Sequence, residues 1–110
     1  MATPEMREPT FLLLTALAAG PRHGYALIAD VEAVSDGRVR LRPGTLYAAL
    51  TRMAEQRLVV IEREEVVNSR LRRYYRLTTS GAAELDEAAR RMRKTADTAV
   101  RRLRTAQVTA

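Results

Sequence analysis

The side chains best equipped for chemistry in this 110-residue chain are arginines and tyrosines, and they suit phosphate binding rather than catalysis. Arg70, Arg72, Arg73 and Arg76 surround Tyr74 and Tyr75 in a stretch that reads as a strand. Guanidinium forks match phosphate oxygens in pairs, and a tyrosine hydroxyl adds another donor. Alternation sets Tyr75 and Leu77 on one strand face and Arg72, Tyr74 and Arg76 on the other, so one face can feed a core while the other carries charge outward. Arg70 and Arg72 stand nearest the expected turn and are the candidate phosphate contacts, with Arg73 beside them. Upstream, Arg42-Pro43-Gly44-Thr45-Leu46-Tyr47-Ala48-Ala49-Leu50 reads as a helix start, with Pro43 suited to the first position. Leu46, Leu50 and Met53 share its apolar face, leaving Thr45, Ala48, Thr51, Arg52 and Glu55 pointing away. Arg52 is a long donor able to grip a guanine edge, and Thr45 and Ala48 join it as candidate base contacts.

Catalysis finds no comparable set. There is no Ser/His/Asp combination, no paired acidic site and no phosphate-cradling glycine loop, and the chain holds five glycines in all. The absence of cysteine excludes disulfides and thiolate metal sites. His23 is the single histidine, without Cys, Asp or Glu at ligand spacing, so it is a poor metal ligand. It is better read as a helix cap or a phosphate contact, and Tyr25 likewise. No metal and no cofactor is expected.

These residues need elements to hold them. Residues 1–8 are polar and expected to fray. Pro9 and Thr10 open a first helix reaching Ala19 and ended by Gly20-Pro21. It is apolar nearly all round (Phe11, Leu12, Leu13, Leu14, Leu17), which predicts burial on two sides, the second against a partner subunit through Phe11 and Leu14. A second helix is predicted from His23 to Ser35. A turn follows at Asp36-Gly37, then a short strand Arg38–Leu41 and a third helix Pro43–Gln56. Leu58-Val59-Val60-Ile61 starts a strand running towards Glu65, and Asn68-Ser69 turns it into the strand Leu71–Leu77. Thr78 or Thr79 caps a last helix to Thr105. Its apolar positions Leu85, Ala89, Met92, Ala96, Ala99, Leu103 and Ala106 are separated by alternating steps of four and three, a coiled-coil seam. The arginines at 90, 91 and 93 and Lys94 flank that seam as a solvated surface.

Helix, helix, short strand, helix, hairpin is the order of a winged helix-turn-helix. The expected fold is mainly α with a small β-hairpin: a winged helix-turn-helix over residues 1–78 and a carboxy-terminal dimerisation helix over 79–110, in one compact unit. Nineteen basic and thirteen acidic residues give a net charge of +6, a field that favours polyanions. Residues 41–77 hold eight arginines and four acids, while residues 1–40 hold four and five. The apolar run from Phe11 to Ala19 is too short to span a bilayer, and the amino terminus lacks a signal-peptide pattern. A cytoplasmic protein without membrane association is the expectation.

Taken together, His23-Gly24-Tyr25, Gly44-Thr45-Leu46-Tyr47-Ala48-Ala49-Leu50, Leu58-Val59, Tyr74-Tyr75-Arg76-Leu77-Thr78 and Gly81 resemble the PadR family of transcriptional regulators. The resemblance runs from Phe11 to about Leu85, and the single short carboxy-terminal helix resembles that family's small subgroup. It implies a homodimer held by the first and last helices, binding double-stranded operator DNA and usually repressing nearby genes. It also implies a DNA-facing Tyr47 and, as in many members, release of DNA by a small-molecule effector. Two positions depart from the family pattern: Ala48 stands where proline is usual, and Asn68-Ser69 replaces a glycine turn in the wing.

Two competing readings follow from other residues. Glu55 and Glu62 to Glu65, close to the presumed DNA face, suit a winged-helix module that works through protein contacts or sensing. Charge alone suits an unspecific nucleoid-type binder.

Overall fold

The computed structural model describes residues 6–106. The expectation that residues 1–8 fray therefore lies largely outside the described range.

Helix α1 spans Glu8–Ala18, with Pro9 in its first turn. Leu12, Leu13, Leu14, Ala16 and Leu17 are all buried within the chain itself. The expectation that Leu14 meets a partner subunit is corrected here. The leucines of the helix are enclosed by α2, α4 and β3, while a narrow face running from Phe11 through Thr15 to Ala18 stays partly open. Leu14 has no exposed surface and cannot face a partner, while Phe11 is half-buried.

The chain leaves α1 through Gly20, whose φ of +135° few side chains tolerate. It then forms a two-residue strand β1, Arg22–His23, before α2, Gly24–Val34. The strand expected at Arg38–Leu41 is absent, and β1 takes its place at the sheet edge. The alternation is real but has another cause. Val39 and Leu41 pack against the core, while Arg38 and Arg40 turn out to Glu8 (2.8 Å) and Glu32 (3.1 Å). The buried Ser35 hydroxyl accepts from Val39 N at 3.0 Å, satisfying backbone that a sheet would otherwise have paired.

Helix α3 spans Pro43–Glu55, and strands β2 (Val59–Val67) and β3 (Arg70–Leu77) form the hairpin. The antiparallel sheet runs β1-β3-β2, so β3 is central. Its register sets Ile61 opposite Tyr75 but Arg63 opposite Tyr74, leaving Glu62 as an extra, bulged residue that bends the arm. Val67 and Arg70 pair directly, so Asn68 (φ 52°) and Ser69 (φ 64°) form a two-residue turn with both residues left-handed. Asparagine tolerates that conformation better than serine. Ser69→Gly should therefore raise stability by about 0.5–1 kcal/mol, read as a higher urea midpoint. An unchanged midpoint would mean that Ser69 is unstrained.

Helix α4, Thr79–Thr105, has 27 residues, about 40 Å of length at 1.5 Å per residue. Thr78 ties its start to the end of α3. The Thr78 hydroxyl accepts from Gly81 N (2.9 Å) and donates to Arg57 O (2.6 Å), and Thr78 N donates to Leu58 O (3.1 Å). Gly81 rests directly on the Leu58 carbonyl. Leu85 and Ala88 then turn towards the core, and beyond Ala88 nearly every residue of α4 is exposed.

Candidate nucleic-acid interface

Leu46, Ala49, Leu50 and Met53 fix the buried side of α3. At 3.6 residues per turn, the line opposite them carries Gly44, Ala48, Thr51 and Glu55. These residues are exposed, and all but Glu55 are small, so the outer face of α3 can come close to another surface. Thr45 and Arg52 lie on one flank and Tyr47 on the other. The Thr51 hydroxyl is occupied in donating to Tyr47 O at 2.9 Å. Gly44 is absent from the sequence-based candidates, although its lack of a side chain keeps the helix start open.

Arg52 is exposed and stands on the same flank of α3 as Thr45. On that flank it also lines a cleft of about 650 Å³ between α3, α4 and the start of α1, with Met6, Thr10, Gln56, Glu84 and Glu87. Its flank turns towards α4 because the buried stripe is centred on Leu46 and Met53, which rotates position 52 away from the outermost line.

Tyr47 is half-exposed and leans over Gly24 at the start of α2. A Cβ at Gly24 would collide with the Tyr47 hydroxyl, so the glycine makes room for the ring. His23, the exposed Tyr25 and the Tyr47 hydroxyl thus gather where the first N–H groups of α2 lack helical partners, a place suited to an anion.

The hairpin has two different faces. One carries His23, Arg63, Glu65, Arg72 and Tyr74. The Tyr74 hydroxyl donates to Glu65 at 2.6 Å, Arg63 binds the other carboxylate oxygen at 2.8 Å, and the Arg63 guanidinium lies 3.7 Å from the Tyr74 ring centre. Arg72 stands 4.0 Å from the same carboxylate, and His23 meets Tyr74 edge-on at 5.4 Å. The Tyr74 hydroxyl, then Arg63, hold the Glu65 carboxyl below the usual carboxylate range. On the other face Arg73 pairs with Glu64 at 3.1 Å, and burial pushes the Tyr75 phenol up. Val66 and Leu71, opposite each other near the tip, are exposed.

Arg72 and Arg73 are therefore partly engaged by carboxylates, whereas Arg70 has no carboxylate partner among the described residues. The sequence could not disclose these pairings, because they depend on a register that the Glu62 bulge shifts by one residue. Arg76 stays at the base, donating to Leu77 O.

His23 carries a pH signature. Partial burial, then the Arg72 charge, lower its pKa below the ordinary value, with Glu65 opposing. A histidine depressed on folding favours the neutral form, so the unfolded chain binds the proton more readily. Stability should be complete above the unfolded value near 6.5 and fall as pH drops through it. Melting curves from pH 7.5 to 5 should show this slope weaken in His23→Gln. An identical slope in the variant would assign it to other groups.

Of the remaining interface candidates, Leu85 faces the chain's own core, and Ala88 rather than Ala89 is the buried neighbour. Ala89, Met92, Ala96, Ala99 and Leu103 lie exposed along one face of α4. Among the described residues, no helix is long and apolar enough to cross a membrane.

Comparison with known proteins bears on this arrangement. The family model described as "Transcriptional regulator PadR-like family" matches residues 13–87. A transcriptional regulator of Mycobacterium tuberculosis is 39% identical over 75 residues, 68% of this chain and 56% of its own length. The chain thus spans about half of that relative, and 37% of a regulator from Escherichia coli. Among solved structures, a PadR family regulator from Eggerthella lenta aligns with TM-score 0.68 at 26% identity, covering 89% of this chain and 86% of that one. Bacillus subtilis PadR, solved in complex with operator DNA, aligns with TM-score 0.65 at 20% identity over 74% of this chain and 46% of that one, a likeness of fold.

Proposed function

Because the chain belongs to the PadR-like family of transcriptional regulators, we propose that it is a dimeric, sequence-specific DNA-binding repressor and not an enzyme. The observation that carries this reading is the small outer face of α3, flanked by Tyr47 over the start of α2 and by an arginine-bearing hairpin. Residues 1–78 form the reading head, and residues 79–110 join two heads. Thr45, Tyr47, Ala48 and Arg52 approach base edges and the nearest phosphate, while His23, Tyr25, Arg70, Arg72 and Arg73 meet the backbone. Phosphate contacts fix register and base contacts specify sequence. For Arg72 and Arg73 this means exchanging a carboxylate for a phosphate. The protein acts in the cytoplasm, and the cleft between α1, α3 and α4 supports release by a small-molecule effector, since its walls include the reading helix.

Two symmetry-related α3 helices would enter successive major grooves, about 34 Å apart. The protected DNA should then be an inverted repeat. The deciding experiment is a titration of the DNA upstream of its own gene and of scrambled DNA at several salt concentrations, followed by footprinting. Preference for its own site with a repeated footprint is expected; equal binding would point to a nucleoid-type protein. Binding to neither DNA would favour the protein-contact module, a reading that rests on Glu64 and Glu65 already holding the wing arginines.

A further inference from the structure

The reading head carries only half of the net charge of +6. Residues 1–78 hold twelve basic and nine acidic side chains, a surplus of three that Glu84, Asp86 and Glu87 in the first half of α4 cancel. Residues 90–104 hold seven basic side chains and a single acid, Asp97, so the whole excess falls on the second half of α4. That half leaves the domain, and among its described residues all but Thr98 are exposed. Arg90 and Arg91 pair backwards with Asp86 and Glu87 at 2.8 and 3.0 Å. Arg93, Lys94, Arg101, Arg102 and Arg104 have no carboxylate partner within salt-bridge distance among the described residues, Arg101 touching Thr98 instead.

The helical repeat decides what a dimer would hide. The apolar line Ala89, Met92, Ala96, Ala99 and Leu103 occupies one side of α4. Arg90, Lys94 and Arg101 fall on the opposite side, with Arg104 next to that row. A partner helix on the apolar line leaves this basic row in water, and two copies double it.

We propose that the second half of α4 is an additional DNA-binding surface, indifferent to sequence, that takes the phosphate backbone of a duplex stretch not held by α3. This rests on the DNA-binding reading above. The reading head carries a surplus of only three charges, and Glu64 and Glu65 hold two of its wing arginines. Lys94, Arg101 and Arg104, by contrast, are exposed and free to attract a polyanion and release its counterions. Double-stranded DNA is the occupant because it is the polyanion that the head itself would hold nearby. The head then supplies discrimination and α4 supplies much of the affinity and its salt dependence.

The test is the full-length triple variant Lys94→Gln, Arg101→Gln and Arg104→Gln. It spares the apolar line and keeps helix propensity nearly constant. Binding to the DNA upstream of its own gene and to a random duplex would be measured across a salt series, with sedimentation on both proteins. An unchanged oligomeric state is expected, with affinity lowered about tenfold or more on both DNAs and a log–log salt slope shallower by about one unit for each phosphate that α4 no longer neutralises. Lengthening the duplex beyond the footprint separates flanking DNA from a second molecule, which capture of a second labelled duplex would report. Affinity and slope equal to the parent protein overturn the proposal, including the case where the variant loses only retention by anionic vesicles or by an acidic protein. Failure of the parent protein to bind any DNA would instead sink the functional reading itself.

Discussion

Gly81→Ala should come close to unfolding the protein, although it adds a single methyl group. That methyl would land on the Leu58 carbonyl oxygen, with the carbonyl carbon 2.9 Å and the Cα 3.2 Å away. These are backbone atoms and cannot swing aside, so α4 or the start of β2 must shift. A shift breaks the bonds that Thr78 makes to Leu58 O, Arg57 O and Gly81 N. Overpacking of this kind costs about 1–3 kcal/mol, and each hydrogen bond lost about 0.5–1.5 more. Against a total of about 5–15 kcal/mol, that is a large share of stability. Gly44→Ala is the control, because no atom lies within 4 Å of the added carbon and the site is an exposed helical turn. Thermal unfolding should show a marked fall for Gly81→Ala and no loss for Gly44→Ala. Equal melting temperatures would mean that α4 is not seated on Leu58.

The largest functional loss is expected from Met92→Glu combined with Leu103→Glu. Both side chains are exposed on the isolated chain, at 44% and 65%, so the change should leave the fold of one chain intact. In a dimer joined along α4 the new carboxylates would be brought together and desolvated, which separates the subunits. One head on one half-site forgoes the effective concentration that joins two binding events, commonly a factor of about 10²–10⁴ in affinity. Sedimentation should report monomers, circular dichroism an unchanged helix content, and operator titration a loss of that order. A variant that still sediments as a dimer would place the interface elsewhere, and a monomer that keeps full affinity would remove the need for two heads.

Much of this architecture is legible because local chemistry and long-range packing agree. Pro43, the spacing of Leu46, Leu50 and Met53, and the Thr78 cap each mark a boundary within a residue or two. What misleads are features whose meaning depends on neighbours. Consecutive leucines in α1 read as a surplus needing a second subunit, yet α2, α4 and β3 enclose them from different directions. Val39 and Leu41 alternate without a strand because packing alone can impose a period of two. The two residues of β1 are too few to show any period. At the site, Tyr47, Arg52 and the small outer face of α3 can be read directly, whereas the cleft that Arg52 also lines exists only because α4 stands beside that helix. The carboxylates holding the wing arginines are set by a bulge that no motif announces.

The joint at Thr78 has a consequence for the DNA rather than for the protein. The end of the reading helix and the start of α4 hang on the same few backbone atoms, with no loose linker between them. If two copies are fastened through α4, the distance and angle between their heads are fixed in manufacture, not adjusted on arrival. One base pair inserted at the centre of the operator turns one half-site by about 34–36° about the duplex axis. A tethered pair of heads would absorb that rotation; a rigid one must twist the DNA or release one half. Such a protein measures phase, so half-sites of perfect sequence but wrong spacing would be strangers to it.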